Sequence, residues 1–204
     1  MTEATDFEIH IRRGLGPLKF GMTREQVARH RSAFGDPEVA ASGTSDAVFE
    51  DTMEMLKRFM AAEDLAAARS AHERSRMTPV AVSEVYQQYG LVLDYEGDHL
   101  SLIQMDPKAA FANLDGQPLF GMPTLDVLRL LERRNGQAGQ FRSSYSDFDA
   151  IAIYLVEFSA VTPGNSVRAT GSNELSFGQR VIAIRPQPIA PDAAWPKIRY
   201  SFLQ

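Results

Sequence analysis

Phe20-Gly21-Met22 and Val27 recur one hundred residues later as Phe120-Gly121-Met122 and Val127, and Gly16 and Gly116 keep the same offset. Each copy leaves a glycine-containing turn and enters a helical pattern. A chain of 204 residues that uses one marked motif twice is expected to be a duplicated unit,. The expected fold class is α+β, with two units, each a Gly-Met motif helix packed on an antiparallel sheet. The expected boundaries are 1–110 and 111–204, with a helical insertion at 46–74 in the first unit.

Periodicity fills in the units. Phe7, Ile9 and Ile11 alternate with polar residues, a strand pattern,. Thr23 with Gln26 three residues on is a capping box, and Gly35-Asp36-Pro37 stops the helix that it opens,. Residues 38–45 read as a loop. From Asp46 to about Arg74 the apolar residues lie on a wide helical stripe. The runs 89–95 and 99–105 flank Glu96-Gly97-Asp98 and predict a β-hairpin,. In the second unit Pro123 suits the first position of a helix that runs to Arg134 and ends at Gly136 and Gly139,. The run 150–158 is the strongest strand pattern. Residues 162–176 read as a long polar loop, 179–185 as its returning strand, and 197–203 as an edge strand. Gly21 and Gly121 are expected where backbones approach closely, with Met22 and Met122 filling core gaps.

Charge narrows the partners. The formal net charge is −5, and residues 36–64 hold eight acids against Lys57 and Arg58. A phosphate backbone would be repelled by that stretch, so no nucleic acid is expected as a partner. There is no cysteine, which excludes disulfides, thiolate metal sites and thiol lipidation,. The first residues lack a basic start and an apolar run, so no signal peptide is expected. No run is long enough to span a bilayer as a helix, so no membrane partner is expected and the location is expected to be cytoplasmic.

Gly21-Met22-Thr23, Val27 and Gly35-Asp36-Pro37, with Gly121-Met122 and Val127 in the second copy, resemble the opening helix of small outer-membrane assembly lipoproteins of the SmpA/OmlA type. The pattern is also similar to the β-lactamase inhibitor protein, which is built from two tandem helix-and-sheet units. The resemblance implies a structural motif and a shared sheet that offers its surface to protein partners. The lipid anchor and the disulfide of those families do not carry over to a chain without cysteine.

No catalytic constellation stands out. His10, His30, His72 and His99 are not at metal-ligand spacing, and the hairpin acids Asp94, Glu96 and Asp98 lack a calcium-loop pattern, so no metal and no cofactor is expected,. Asp147 and Asp149 with Glu157 are candidate paired carboxylates for acid–base work, but Asp147 and Asp149 read better as the wet start of a strand,. Ser143, Ser144 and Ser146 lack a nucleophile elbow. The expected function is therefore a non-catalytic protein-binding inhibitor, an immunity protein that neutralises a bacterial toxin. Its partner would be locally basic and meet the acidic helix at Glu50, Asp51 and Glu54, with Trp195 as an anchor. The alternatives are a hydrolase with a site between the units around His99, Asp94 and Asp149, an assembly adaptor, or a small-ligand binder in the groove between the units.

Overall fold

Turn chemistry starts the fold. The computed structural model describes residues 7–42, 53–54, 65, 81–171, 175–189 and 197–203. Strands β1 (Ile9–His10), β2 (Gly14–Leu15) and β3 (Leu18–Lys19) form a small antiparallel sheet. Leu15 pairs with Leu18, so Gly16-Pro17 is the two-residue turn, and Gly16 takes a φ of +51°,. One hundred residues on, β8 (Asn113–Leu114) and β9 (Gln117–Pro118) make a similar hairpin. There the turn is Asp115-Gly116, with φ of +56° and +70°.

Each hairpin leads into a helix. Helix α1 (Arg24–Ala28) is opened by the predicted capping box: Thr23 Oγ1 accepts from the Gln26 amide at 3.3 Å and Gln26 Oε1 accepts from the Thr23 amide at 2.8 Å,. A 3-10 turn (Arg31–Ala33) follows. Helix α2 (Thr124–Asn135) takes Pro123 as its N-cap, one position earlier than predicted, and closes on left-handed Gly136,. Its stripe of Val127, Leu128, Leu130 and Leu131 is buried, as the periodicity predicts,.

A nine-stranded antiparallel sheet takes up most of the rest. Its first half is β4 (Glu38–Ser42), β5 (Ala81–Tyr86), β6 (Leu91–Glu96) and β7 (His99–Met105). Its second half is β10 (Gly139–Arg142), β11 (Tyr145–Phe148), β12 (Ile153–Val156) and β15 (Val181–Ile184), with β16 (Ile198–Tyr200) at the edge. The order is β16-β10-β11-β12-β15-β7-β6-β5-β4, so β7 and β15 meet and the sheet runs unbroken through both halves. The fold class is thus α+β, built mostly from antiparallel strands. A further hairpin, β13 (Ser159–Thr162) and β14 (Ser166–Ala169), stands beside β10. Buried Arg180 fastens it: its guanidinium donates to the carbonyl and hydroxyl of Thr170 and lies 5.0 Å from the Phe158 ring centre,.

Register assigns the two faces. Paired residues on neighbouring antiparallel strands point to the same side. Leu91, Met105, Ile182, Leu155, Ser146 and Phe141 form one such row, and Leu93, Ile103, Ile184, Ile153 and Phe148 another; all are buried. Both helices add their apolar residues to this face, and the buried side chains of the two halves join in one cluster.

Several expectations change. Residues 38–42 form edge strand β4 rather than a loop, because a strand paired on one side only needs little alternation of its own. Strand β5 escapes the periodicity because Glu84 sits on its core face. Gly139 belongs to β10, and the hairpin β10–β11 occupies 139–148. The predicted polar loop at 162–176 contains β14 and begins at the end of β13. Gly21 is needed for its φ of +83° and not for close approach, since a Cβ there would meet nothing within 4 Å,. Gly121 takes no such φ, and a Cβ there would stand at ordinary contact distance from Pro118. Among the residues of the expected insertion at 46–74, Met53, Glu54 and Leu65 are helical; the others lie outside the described residues.

Candidate functional site

An antiparallel sheet with one buried face ordinarily turns polar residues to the other. This sheet departs from that rule. The outer-face row that crosses it reads Glu38, Val85, Val92, Gln104, Ala183, Tyr154, Asp147, Gln140 and Arg199. The next row adds Tyr145, Val156 and Val181. Leu102, paired with Asp94, extends the apolar part. Val85, Val92, Leu102, Ala183, Val156 and Val181 are all partly exposed, and Tyr145 is 46% exposed with the Arg142 guanidinium 5.3 Å from its ring centre. Valine, leucine and alanine at outward positions of successive strands give this face a partly exposed apolar strip.

The polar groups of this face are held in place by one another. Asp94 accepts from Ser83 Oγ at 2.5 Å and from Gln104 Nε2 at 2.9 Å. Asp147 pairs with Lys197, and Tyr154 Oη accepts from the Ile189 amide at 2.7 Å. Both described ends of the connection from β15 to β16 therefore touch the outer face over β11 and β12. Asp149, just beyond β11, accepts from Gln140 Nε2 at 2.6 Å, while its Oδ1 is buried without a partner among the described residues. Burial raises the pKa of Asp149, Lys197 opposes the rise and Asp147 adds to it,.

Among the described residues, an ionic cluster lies in the core. Glu84 is 0% exposed; its Oε2 accepts from Tyr95 Oη at 2.8 Å and Tyr86 Oη at 3.0 Å. Its Oε1 faces Arg31 at 3.3 Å and Arg24 at 3.4 Å. Burial first, and then Glu84, pushes both phenols well above the ordinary tyrosine range, so they remain donors,. The cluster clamps α1 and the 3-10 turn onto β5. A carboxylate sealed in this way meets no substrate, so its role is structural.

The residues named for a hydrolase site are spread out. Asp94 on β6 and Asp149 after β11 are separated by β7, β15 and β12, which is on the order of 19 Å at the usual strand spacing,. His99 stands exposed at the β6–β7 turn, with Nδ1 2.8 Å from the Gly97 carbonyl oxygen. Among the described residues no three of His, Cys, Asp and Glu gather as a metal site. Of the residues named for partner binding, Glu54 is exposed in a helical segment; Glu50, Asp51 and Trp195 lie outside the described residues, as does His72. No helix among the described residues is long and apolar enough to cross a membrane.

The outer-face strip is the feature that periodicity left unnoticed. Its signal was present: Leu91-Val92-Leu93 and Val181-Ile182-Ala183-Ile184 are apolar on both faces, whereas a half-solvated strand alternates,. Comparison with protein-family models, with curated proteins and with solved structures finds no match to this chain.

Proposed function

We propose that this chain is a non-catalytic protein-binding inhibitor, a cytoplasmic immunity protein that neutralises a bacterial toxin by holding it on the outer face of the nine-stranded sheet. The observation that carries the reading is the apolar strip of Val85, Val92, Leu102, Ala183, Val156, Val181 and Tyr145. An acidic edge supports it. Exposed Asp36 and Glu38 begin the stretch at 36–64 that holds the excess of negative charge, and Glu38 stands in the outer-face row beside Val85. A partner with a basic patch beside an apolar one would fit both, and the charge would speed encounter.

The same reading takes the chain as two copies of one unit, 1–110 and 111–204, with a helical insertion at 46–74 in the first. Three features support it. The hairpins at 14–19 and 113–118 each lead into a helix, the Phe-Gly-Met motif follows each hairpin, and the order β4-β5-β6-β7 is mirrored by β10-β11-β12-β15 about the central seam. The resemblance to the two-unit inhibitor family points the same way, as a shared sheet is the surface that such proteins offer.

The test has two stages. Tagged chain should capture a protein from the source organism, and the purified partner should lose its activity when the chain is added. The double variant Val92→Arg/Val181→Arg should keep the fold and lose the partner. Reversal of Glu50, Asp51 and Glu54 to Lys should slow association at low salt and matter little at high salt. Capture that the Val92→Arg/Val181→Arg variant leaves intact would remove the strip from the reading.

A further inference from the structure

A cleft of about 620 Å³ opens between the β1–β3 sheet and the β6–β7 hairpin. Arg12, Arg13 and Lys19 line it, with Glu96 and His99 from the hairpin. Three cations against one carboxylate leave this lining positive, in a chain whose formal net charge is −5. Among the described residues none of the three cations forms a salt bridge; Arg12 donates to the Asp149 carbonyl at 3.4 Å, which steadies the side chain without cancelling its charge. Arg12 also holds a φ of +60°, a conformation that costs a non-glycine residue free energy,. Like charges gathered in this way repel, and an anion among them removes the repulsion.

The other walls say more about the ligand. His99 Nδ1 lies 2.8 Å from the Gly97 carbonyl oxygen, which holds the imidazole at the hairpin end of the cleft. Phe20 and Leu100 add an apolar wall that a bare inorganic ion would not use. The volume falls within the range of about 300–1,000 Å³ usual for small-molecule sites. A phosphate monoester carries about −1.5 to −2 charges at neutral pH, a closer match to the cationic lining than a single carboxylate.

We propose that this cleft binds a small phosphate monoester with an apolar body, its phosphate among Arg12, Arg13 and Lys19 and its body against Phe20. The site is independent of the docking strip and stands or falls separately from it. Calorimetric titration of the full chain with phenyl phosphate, inorganic phosphate and phenol tests it. Phenyl phosphate should bind more tightly than inorganic phosphate, and phenol should give no heat. Lys19→Gln and Arg13→Gln change exposed side chains and should each weaken phenyl phosphate about tenfold, as expected for loss of a charge-assisted contact,. Arg199→Gln, on β16, should change nothing. Phe20→Ala should bring phenyl phosphate down to the affinity of inorganic phosphate and leave the latter as it was. No heat with phenyl phosphate at millimolar concentration would overturn the proposal, and so would equal affinities in wild type, Lys19→Gln and Arg13→Gln. Binding of a glutamate-rich peptide without binding of phenyl phosphate would also overturn it, assigning the cleft to an acidic protein segment.

Discussion

Met105 of β7 and Ile182 of β15 stand directly opposite each other on the core face, where the two halves of the large sheet join. Both are buried, and each is flanked by buried residues of its own half, Leu91 on one side and Leu155 on the other. Truncation at this seam leaves a hole that neither half closes alone. Ile182→Ala is expected to cost about 2–5 kcal/mol. Urea unfolding should show a lower midpoint and still a single transition. Two separate transitions would mean that the halves unfold independently.

Glu84 offers a second test. Glu84→Gln keeps the volume but removes the charge that faces Arg24 and Arg31. Those guanidinium side chains are 36% and 34% exposed, so water takes up part of the loss. The expected cost is about 2–4 kcal/mol, toward the low end of that for breaking a buried pair. Chemical denaturation of the two proteins measures it, and an unchanged midpoint would show that the clamp on β5 is not needed.

Tyr86 and Tyr95 give this cluster an alkaline signature. Their folded pKa values lie above the ordinary 10.0, so the stability that they contribute is full below that value and is lost as pH rises through the folded values,. Phenolate absorbance should therefore show these two of the six tyrosines ionising only together with loss of the fold. Smooth ionisation of all six in the folded chain would contradict the buried donors to Glu84.

Asp149 acts in the acid range. Its folded pKa is raised, mainly by burial, so the fold favours its protonated form. That contribution is full below the ordinary value of 3.8 and disappears as pH rises through the raised value,. Asp149→Asn cannot ionise and escapes the loss. The melting temperature of the variant should gain on wild type as pH rises from about 3.5 to about 7. A constant difference over that range would show that burial does not raise the pKa of this carboxyl.

The elements that the sequence made legible are those whose own residues decide them. Thr23 and Gln26 cap α1 by local contacts, the stripe of α2 is periodic, and Gly97-Asp98 can only be a turn. What was not legible depends on distant partners. Strand β5 carries Glu84 inward because Tyr95, Arg24 and Arg31 come to it from elsewhere in the chain. The hairpins β10–β11 and β13–β14 are polar and short, and register rather than composition defines them. For the site, the acidic stretch was visible as composition. The outer-face strip needed the register of β6, β7 and β15 before Val92 and Val181 could be seen to share a side.

The seam also predicts what happens when the chain is divided. Residues 1–110 would end the sheet at β7, and residues 111–204 would end it at β15. Each new edge would present unpaired backbone groups next to exposed Ile103, Met105, Ile182 or Ile184, all buried in the whole chain. Long apolar edges of that kind invite pairing with other chains. Both pieces would also lose the contacts that join them outside the seam, where Phe7 packs on Phe111 at 4.5 Å between ring centres and Glu8 accepts from the amides of Asp115 and Gly116. Expressed alone, 1–110 is expected to self-associate or precipitate. Mixed with 111–204 during refolding, it is expected to give a one-to-one complex with β7 on β15. Size-exclusion chromatography with light scattering separates the outcomes. A stable, folded monomer of 1–110 would show that the first unit needs no partner across the seam.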